Sequence, residues 1–337
     1  MKIAVAELQA RVERILADHG MTPRNASVVA ATIVAAERDG SRSHGLQRLA
    51  GYLSSLESGW VDGKAEPIVA EAAPGLLKVD ARNGFAQVAL AKASGPLRAM
   101  AERQGSAAMA MANSHHFAAL WPDVEPFAAD GHVVLAMVNT RARIVAWGGT
   151  KKVLGTNPMA FGCPRKGRPP LVWDQASSIM SQGDVLLASS AKSRLPPDVG
   201  VDGEGRPTVD PDAVLQGGAL LPFGNVKGAS LAFMIEILAA ALSGARFGFE
   251  DESGRIPGAL TSNAGQFMLL IDPRRVGGTA FLDRVESLVA HLFDAGTGRL
   301  PGDRRYARRL VAEREGIEIS EEMRASLDRL VGKGCGR

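Results

Sequence analysis

Between Ser43 and Arg48 the chain sets a hydroxyl, an imidazole and a guanidinium within six residues: Ser43-His44-Gly45-Leu46-Gln47-Arg48. Histidine is the side chain whose ordinary pKa lies nearest neutrality, so it can give or take a proton at working pH. A guanidinium grips a carboxylate through two parallel hydrogen bonds. Together they suit a small carboxylate substrate that must be held and protonated. The spacing predicts a helix that begins here. Ser41 and Ser43 are both good N-caps. Leu46, Leu49, Tyr52, Leu53 and Leu56 follow at helical intervals, and Gly59 supplies the stop. Such a helix puts His44 and Arg48 on one face, with its positive end close to a bound anion. From spacing alone the plainer alternative stays open: a solvent-facing first turn whose Arg48 pairs with a neighbour and whose His44 bonds a carbonyl.

The elements that must position this stretch read as follows. Residues 1–60 look helical throughout, with Thr22 capping and Pro23 opening the second of three helices. Short strands are expected at Ile68–Ala70 and Leu76–Val79, then a helix from Phe85 to Gln104 interrupted near Gly95-Pro96. Ala107–Ala112 and Val133–Val138 are apolar runs of strand length, as are Leu171–Asp174 and Gln266–Ile271. Arg194 to Asp210 reads as a polar loop, and the chain's longest buried helix is expected to end near Leu242. Helices are also expected at Phe281–Phe293 and, capped by Ser320, up to Leu330. Strands alternating with helices after a helical start say α/β or α+β. No Gly-x-Gly-x-x-Gly follows a strand, so an ordinary Rossmann unit is absent.

Bulk properties narrow the function class. Hydrophobic residues make up 46% and charged residues 22%, an ordinary globular balance, and a net charge of +3 argues against nucleic acid as a partner. The most apolar stretch, Ala229 to Ala245, contains Glu236 and falls short of a membrane span. Cys163 and Cys335 fit neither a disulfide framework nor a metal-ligand spacing, so a reducing cytoplasm is the default compartment. His115 and His116 lack a carboxylate or thiol to complete a ligand set, and no metal is expected.

Five motifs stand in order between residues 40 and 305: Ser43-His44-Gly45 with Arg48, Ser114-His115-His116-Phe117, Gly155-Thr156-Asn157-Pro158, Pro207-Thr208 with Asp210-Pro211, and Leu221-Pro222-Phe223-Gly224 with Lys227-Gly228. Through them the chain resembles the type 2 malate/L-lactate dehydrogenase superfamily, whose members use nicotinamide nucleotides without a Rossmann fold. Ser114 to Phe127, Gly59 to Gly63 and Leu300 to Tyr306 make it most similar to the Δ1-piperideine-2-carboxylate/Δ1-pyrroline-2-carboxylate reductases. So does Asp184, where keto-acid-reducing relatives commonly carry Lys.

The resemblance implies a non-Rossmann α/β fold with a mixed, largely antiparallel central sheet and a helical N-terminal region. Residues 1–75, joined by C-terminal helices 306–337, would form the substrate side, and 76–305 the NADPH-binding domain. It implies reduction of a cyclic imine carboxylate to L-pipecolate or L-proline with NADPH (NADH as a possible substitute), by a cytoplasmic homodimer. His44 would protonate the ring nitrogen, with Ser43 and Asp184 as its relay partners, an anionic Asp184 favouring the protonated imidazole. Arg48, Thr156, Gln182 and Gly183 would hold the substrate. The cofactor would meet Phe117, Ala118, Ala119, Leu120 and Trp121; Asp174, Gln175 and Ala176; and Val226 and Lys227. The last cofactor segment would be Arg299, Leu300, Pro301, Gly302, Asp303, Arg304 and Arg305, whose arginines suit a 2′-phosphate. Taken without the resemblance, Gly155-Thr156-Asn157-Pro158 is a turn before a strand, Asp184 a turn or cap residue, and Arg299 to Arg305 a solvated basic turn. Gln175-Ala176-Ser177-Ser178 and Asn225-Val226 depart from the family pattern on the cofactor side. A 2-oxo acid reductase of the same fold, or a non-catalytic metabolite-binding protein, are the rival functions.

Overall fold

The computed structural model describes residues 2–331; Cys335 and the end of the 306–337 region lie outside the described residues. A short strand β1 (Lys2–Ile3) precedes helices α1 (Val5–Asp18), α2 (Pro23–Arg38) and α3 (Leu49–Glu57). Leu8, Val12, Ile15 and Leu16 give α1 one buried stripe. Pro23 opens α2, and the Thr22 hydroxyl accepts a hydrogen bond from the Asn25 amide, as expected.

The third helix starts later than its leucine spacing predicts. Arg42–His44 and Leu46–Arg48 form two consecutive 3₁₀ turns, and the α-helix begins only at Leu49. Ser41 makes no capping bond, and the Ser43 hydroxyl is bonded to His44 Nδ1 (3.2 Å). Gly45 breaks the helical path between the turns, at φ −93° and ψ −135°. The buried Glu37 carboxylate, nine residues upstream, accepts from the Leu46 amide at 2.9 Å and does the capping instead.

Next come β2 (Ile68–Ala73), β3 (Leu76–Phe85), α4 (Ala86–Gln104), β4 (Ser106–His115), α5 (Trp121–Ala129), β5 (Val133–Val138), β6 (Met159–Arg165) and β7 (Arg168–Gln175). Contrary to expectation, α4 is continuous. Gly95 and Pro96 lie on the exposed face, so the helical bond that Pro96 cannot make is lost on the outer side, while Ala93, Leu97 and Met100 keep the inner face packed. After α6 (Gln182–Ser190), the segment read as a polar loop carries β8 (Gly200–Val201) and β9 (Pro207–Thr208); α7 (Pro211–Leu215) and β10 (Ala219–Leu220) follow. The apolar helix α8 (Val226–Ile235) is shorter than predicted. It continues as a π-helical turn, Glu236–Ala241, and exposes Phe233, Ile237 and Leu242 instead of burying every face. The chain closes with β11 (Asn263–Ile271), α9 (Phe281–Asp294), α10 (Asp303–Glu315), β12 (Ile317–Glu318) and α11 (Glu321–Leu330).

The seven-stranded sheet has the order β2-β3-β4-β11-β5-β6-β7. Only β3 and β4 run parallel, so the sheet is mixed and largely antiparallel. Helices α4 and α5 cover it; Leu97, Met100 and Phe127 are fully buried there, each contributing about 1.5–3 kcal/mol relative to exposure. A second core joins the first three helices to Ala312, Ile317 and Leu327 near the other end of the chain, and β1 pairs with β12. A third, smaller core gathers Ile144, Leu154, Val185, Val199, Val214 and Leu220 around the β8–β10 sheet. Among the described residues no helix is long and apolar enough to cross a membrane.

Candidate active site

A cleft of about 320 Å³ opens where these three cores meet. The 3₁₀ turns bring Ser43, His44 and Arg48 to it; the stretch before α5 brings Phe117 to Leu120. The turn before β6 adds Thr156, the end of β7 adds Asp174 to Ala176, and the start of α6 adds Gln182 to Asp184. Residues 140 positions apart in sequence therefore face one space.

Arg48 is held from two sides. Its Nε donates to the Ser43 carbonyl at 2.8 Å, and its guanidinium lies over the Phe117 ring, 4.5 Å from the centroid. Phe117 in turn meets Tyr52 edge-on at 5.4 Å. Only glycine fits at 51, because a Cβ there would stand 2.6 Å from the Phe117 ring. Gly183 seals the other side, where a Cβ would come within 3.4 Å of both Arg48 Nη2 and Ser43 Cβ. Burial lowers the Arg48 pKa, and Arg141 adds to that effect.

His44 does not have the electrostatic environment expected for it. Burial first, then Arg48 and His116, hold its pKa down at about 4, so the imidazole is neutral near pH 7. The anticipated contact with Asp184 is missing. Asp184 is exposed in the first turn of α6, and its carboxylate accepts from the Ser181 hydroxyl at 2.8 Å while Ser181 caps the helix through the Asp184 amide. The capping role is what composition alone suggested for this residue. Asp184 lines the cleft without bonding to His44, whose hydrogen-bond partner is Ser43.

Several cofactor positions are likewise not brought to the cleft. Trp121 is buried beneath the sheet edge, with the Arg305 guanidinium 4.8 Å from its ring centroid. Arg305 donates to the Val172 carbonyl at 2.6 Å, Asp303 accepts from the Leu300 amide at 2.7 Å, and Leu300 is buried. Arg299, Pro301, Gly302 and Arg304 also lie off the cleft, as do Val226 and Lys227. Asp174 reaches the cleft, but its Oδ2 accepts from the Leu120 and Trp121 amides and so caps α5. A shallower hollow lined by Gln175, Ala176, Ser178, Ile179, Ser181 and Phe223 continues the cleft toward the start of α8, where Lys227 sits exposed.

The cleft also holds residues that sequence reasoning passed over. His116 stands on it with Nε2 3.0 Å from Asp123 Oδ2, and Asp123 also accepts from Gln266 Nε2 at 2.7 Å. The acid seven residues after His116 is the sequence signal for this imidazole–carboxylate pair. Its neighbour His115 is structural: buried, held between Asn83 and Thr261, its pKa pushed down to about 3 chiefly by burial. Among the described residues no cluster of three or more His, Cys, Asp or Glu is arranged to hold a metal ion. Arg141 and Arg143 also line the cleft, and they belong to no motif.

Behind the Thr156 loop, Glu236 in the π-helical turn organises four donors. Its carboxylate accepts from Asn157 Nδ2 (3.0 Å), Asn139 Nδ2 (3.1 Å), the Gly248 amide (3.2 Å) and the Gly155 amide (3.4 Å). Asn157 Oδ1 takes the Thr140 amide at 2.9 Å, and the Thr140 and Thr156 hydroxyls meet at 3.3 Å. Burial raises the Glu236 pKa while these bonds oppose the rise. Glu236→Ala should therefore cost about 3 kcal/mol of stability by leaving buried donors unpaired. Thermal melts of both proteins check this, and an unchanged melting temperature would remove Glu236 as the loop's anchor.

Known proteins share this architecture. The profile of the malate/L-lactate dehydrogenase family matches residues 3–328. A Δ1-pyrroline-2-carboxylate/Δ1-piperideine-2-carboxylate reductase of Pseudomonas putida is 47% identical, over 98% of this chain and 97% of its own. A (2R)-3-sulfolactate dehydrogenase (NADP⁺) of Chromohalobacter salexigens is 39% identical, over 95% of each chain. The crystal structure of Δ1-piperideine-2-carboxylate reductase from Pseudomonas syringae pv. tomato superposes with a TM-score of 0.96 at 47% identity, covering 98% of this chain and 99% of that one.

Proposed function

The chain belongs to the malate/L-lactate dehydrogenase family, and on that premise we propose that it reduces cyclic imine carboxylates, Δ1-piperideine-2-carboxylate and Δ1-pyrroline-2-carboxylate, to L-pipecolate and L-proline. The observation that carries this reading is the meeting of His44, Arg48, Thr156 and Gly183 on one cleft, in a chain 47% identical along its length to a reductase of those imines. Arg48 takes the substrate carboxylate as a bidentate pair, its planar fork already aimed by Ser43 and Phe117. Thr156 and the Gln182-Gly183 backbone orient the flat ring. His44 stands over the ring nitrogen and supplies its proton.

That proton needs an explanation, because His44 is neutral in the open cleft. The substrate itself opposes this: its carboxylate cancels the Arg48 charge, which after burial is the next cause of the depressed imidazole pKa. Substrate binding therefore raises the His44 pKa and draws in a proton. Asp184 would act as a relay only if its side chain left the Ser181 cap.

A bound nicotinamide supplies the hydride to ring carbon 2. The residues present fit such a group: an apolar wall from Phe117 to Leu120, then a hollow past Ala176 toward Lys227 at the mouth of α8. The exposed ammonium of Lys227, a point charge at the helix start, suits a pyrophosphate. We assign NADPH as the preferred cofactor, residues 1–75 with 306–337 as the substrate side, and 76–305 as the cofactor side. The working form is a homodimer in the cytoplasm. An apolar groove of about 700 Å³ beside exposed Trp147, Phe233, Ile237 and Phe249 supports self-association.

The test is the oxidation of NADPH and NADH by purified protein, with each imine and with pyruvate and oxaloacetate. Imine-dependent oxidation is the expected result. A 2-oxo acid reductase would work on the oxo acids instead, a reading that the sulfolactate dehydrogenase relative keeps in play. Oxidation with neither substrate class would leave a binding protein.

A further inference from the structure

Three guanidinium groups, those of Arg48, Arg141 and Arg143, line the same cleft. A single carboxylate offers two oxygens, enough to satisfy one guanidinium fork. Arg48 has that task. Arg141 and Arg143 come from the segment between β5 and β6, and both are half-buried. Thr140, next to Arg141, meets the Thr156 hydroxyl at 3.3 Å, which ties this segment to the loop that lines the substrate.

Neither arginine is satisfied by the protein. Arg141 makes one long bond, Nη1 to Ser253 Oγ at 3.3 Å. The Arg143 side chain makes no hydrogen bond or ion pair among the described residues. The two acids on the cleft are occupied: Asp174 by the α5 amides and Asp184 by Ser181. Asp251 is the one acid that favours the Arg143 charge, and it is bonded to Ser253. Burial, with Arg141 and then Arg48 adding to it, pushes the Arg143 pKa down to about 9. Like charges crowded together away from water cost free energy until an anion joins them.

We propose that the cleft prefers a ring imine with two anionic groups: the imine-conjugated carboxylate on Arg48, and a second carboxylate or comparable anion on the ring, held by Arg141 and Arg143. The inference rests on reading the His44–Arg48 cleft as the substrate site. It extends the substrate class beyond those two monocarboxylate imines to ring imines that bear a second anion. Product of the same chemistry is a ring amine with two acidic substituents, and the reaction that supplies the substrate must form an imine ring from an acidic amino precursor.

Flat pyridine acids mimic the ring without being reduced, so binding can be read apart from turnover. Pyridine-2-carboxylate and the pyridine dicarboxylates sharing that 2-carboxylate are titrated calorimetrically into the NADPH-loaded wild type, Arg143→Met and Arg141→Met. At least one dicarboxylate should bind the wild type about tenfold or more tightly than the monocarboxylate, the value of one buried charge-assisted contact. Both variants should lose most of that preference and keep their affinity for NADPH. Equal affinities in the wild type overturn the inference and leave the substrate reading intact. Weakened NADPH binding with the dicarboxylate preference retained also overturns it, and assigns the arginines to a cofactor phosphate. Binding of none of these acids removes the substrate reading as well.

Discussion

His44→Ala should lower turnover by about 10²–10⁴-fold, the usual contribution of a positioned proton donor, with little change in the substrate concentration needed. The imidazole is half-buried beside Arg48, with the Ser43 hydroxyl 3.2 Å from Nδ1, so its orientation is fixed before substrate arrives. Steady-state rates with a cyclic imine test this. Turnover that survives the substitution would move the proton to His116, the other imidazole on the cleft, already paired with Asp123 at 3.0 Å. The free imidazole is held at about 4 and rises when an anion covers Arg48, so a carboxylate inhibitor should bind with proton uptake. Calorimetry in buffers of different ionisation enthalpy measures that uptake, and none should remain in His44→Ala.

Arg48→Ala should act on binding more than on turnover. Losing a bidentate, charge-assisted pair in a half-buried site costs about 3 kcal/mol, or roughly 10²-fold in kcat/KM. Most of the loss should fall on KM, because the carboxylate is gripped in the ground state and the transition state alike. A second signature separates this from simple damage. Arg48 is one of the charges that depress His44, so its removal should shift the His44 limb of the pH–rate profile upward. A lower kcat with unchanged KM and an unmoved profile would mean that Arg48 is not the clamp.

What the sequence revealed depended on how local the information was. Thr22 and Pro23 start α2 through contacts within one turn, and the structure follows the reading there. The sheet strands with long apolar runs were legible for the same reason. At the Ser43–Arg48 stretch the leucine spacing gave a helix, but Gly45 and the distant Glu37 carboxylate turned its first residues into 3₁₀ turns. Helix α6 escaped notice because it buries little beyond Gly183 and Val185, so its residues show no apolar period. Strands β8 to β10 are two residues each, too short for any alternation. The Asp184 contact failed because relay and helix cap draw on the same carboxylate, and the cap is three residues away whereas His44 is far off in sequence. Arg141 and Arg143 belong to no motif. Only the fold brings them opposite Arg48.

The place of β11 has a consequence for how the protein is made. It lies between β4 and β5, bonded to both, although it follows β5 by more than a hundred residues. Until that late segment leaves the ribosome, no strand pairing joins the two blocks of sheet, and each waits with an unpaired edge. The slow, long-range closure typical of such topologies is thus fixed by a single strand.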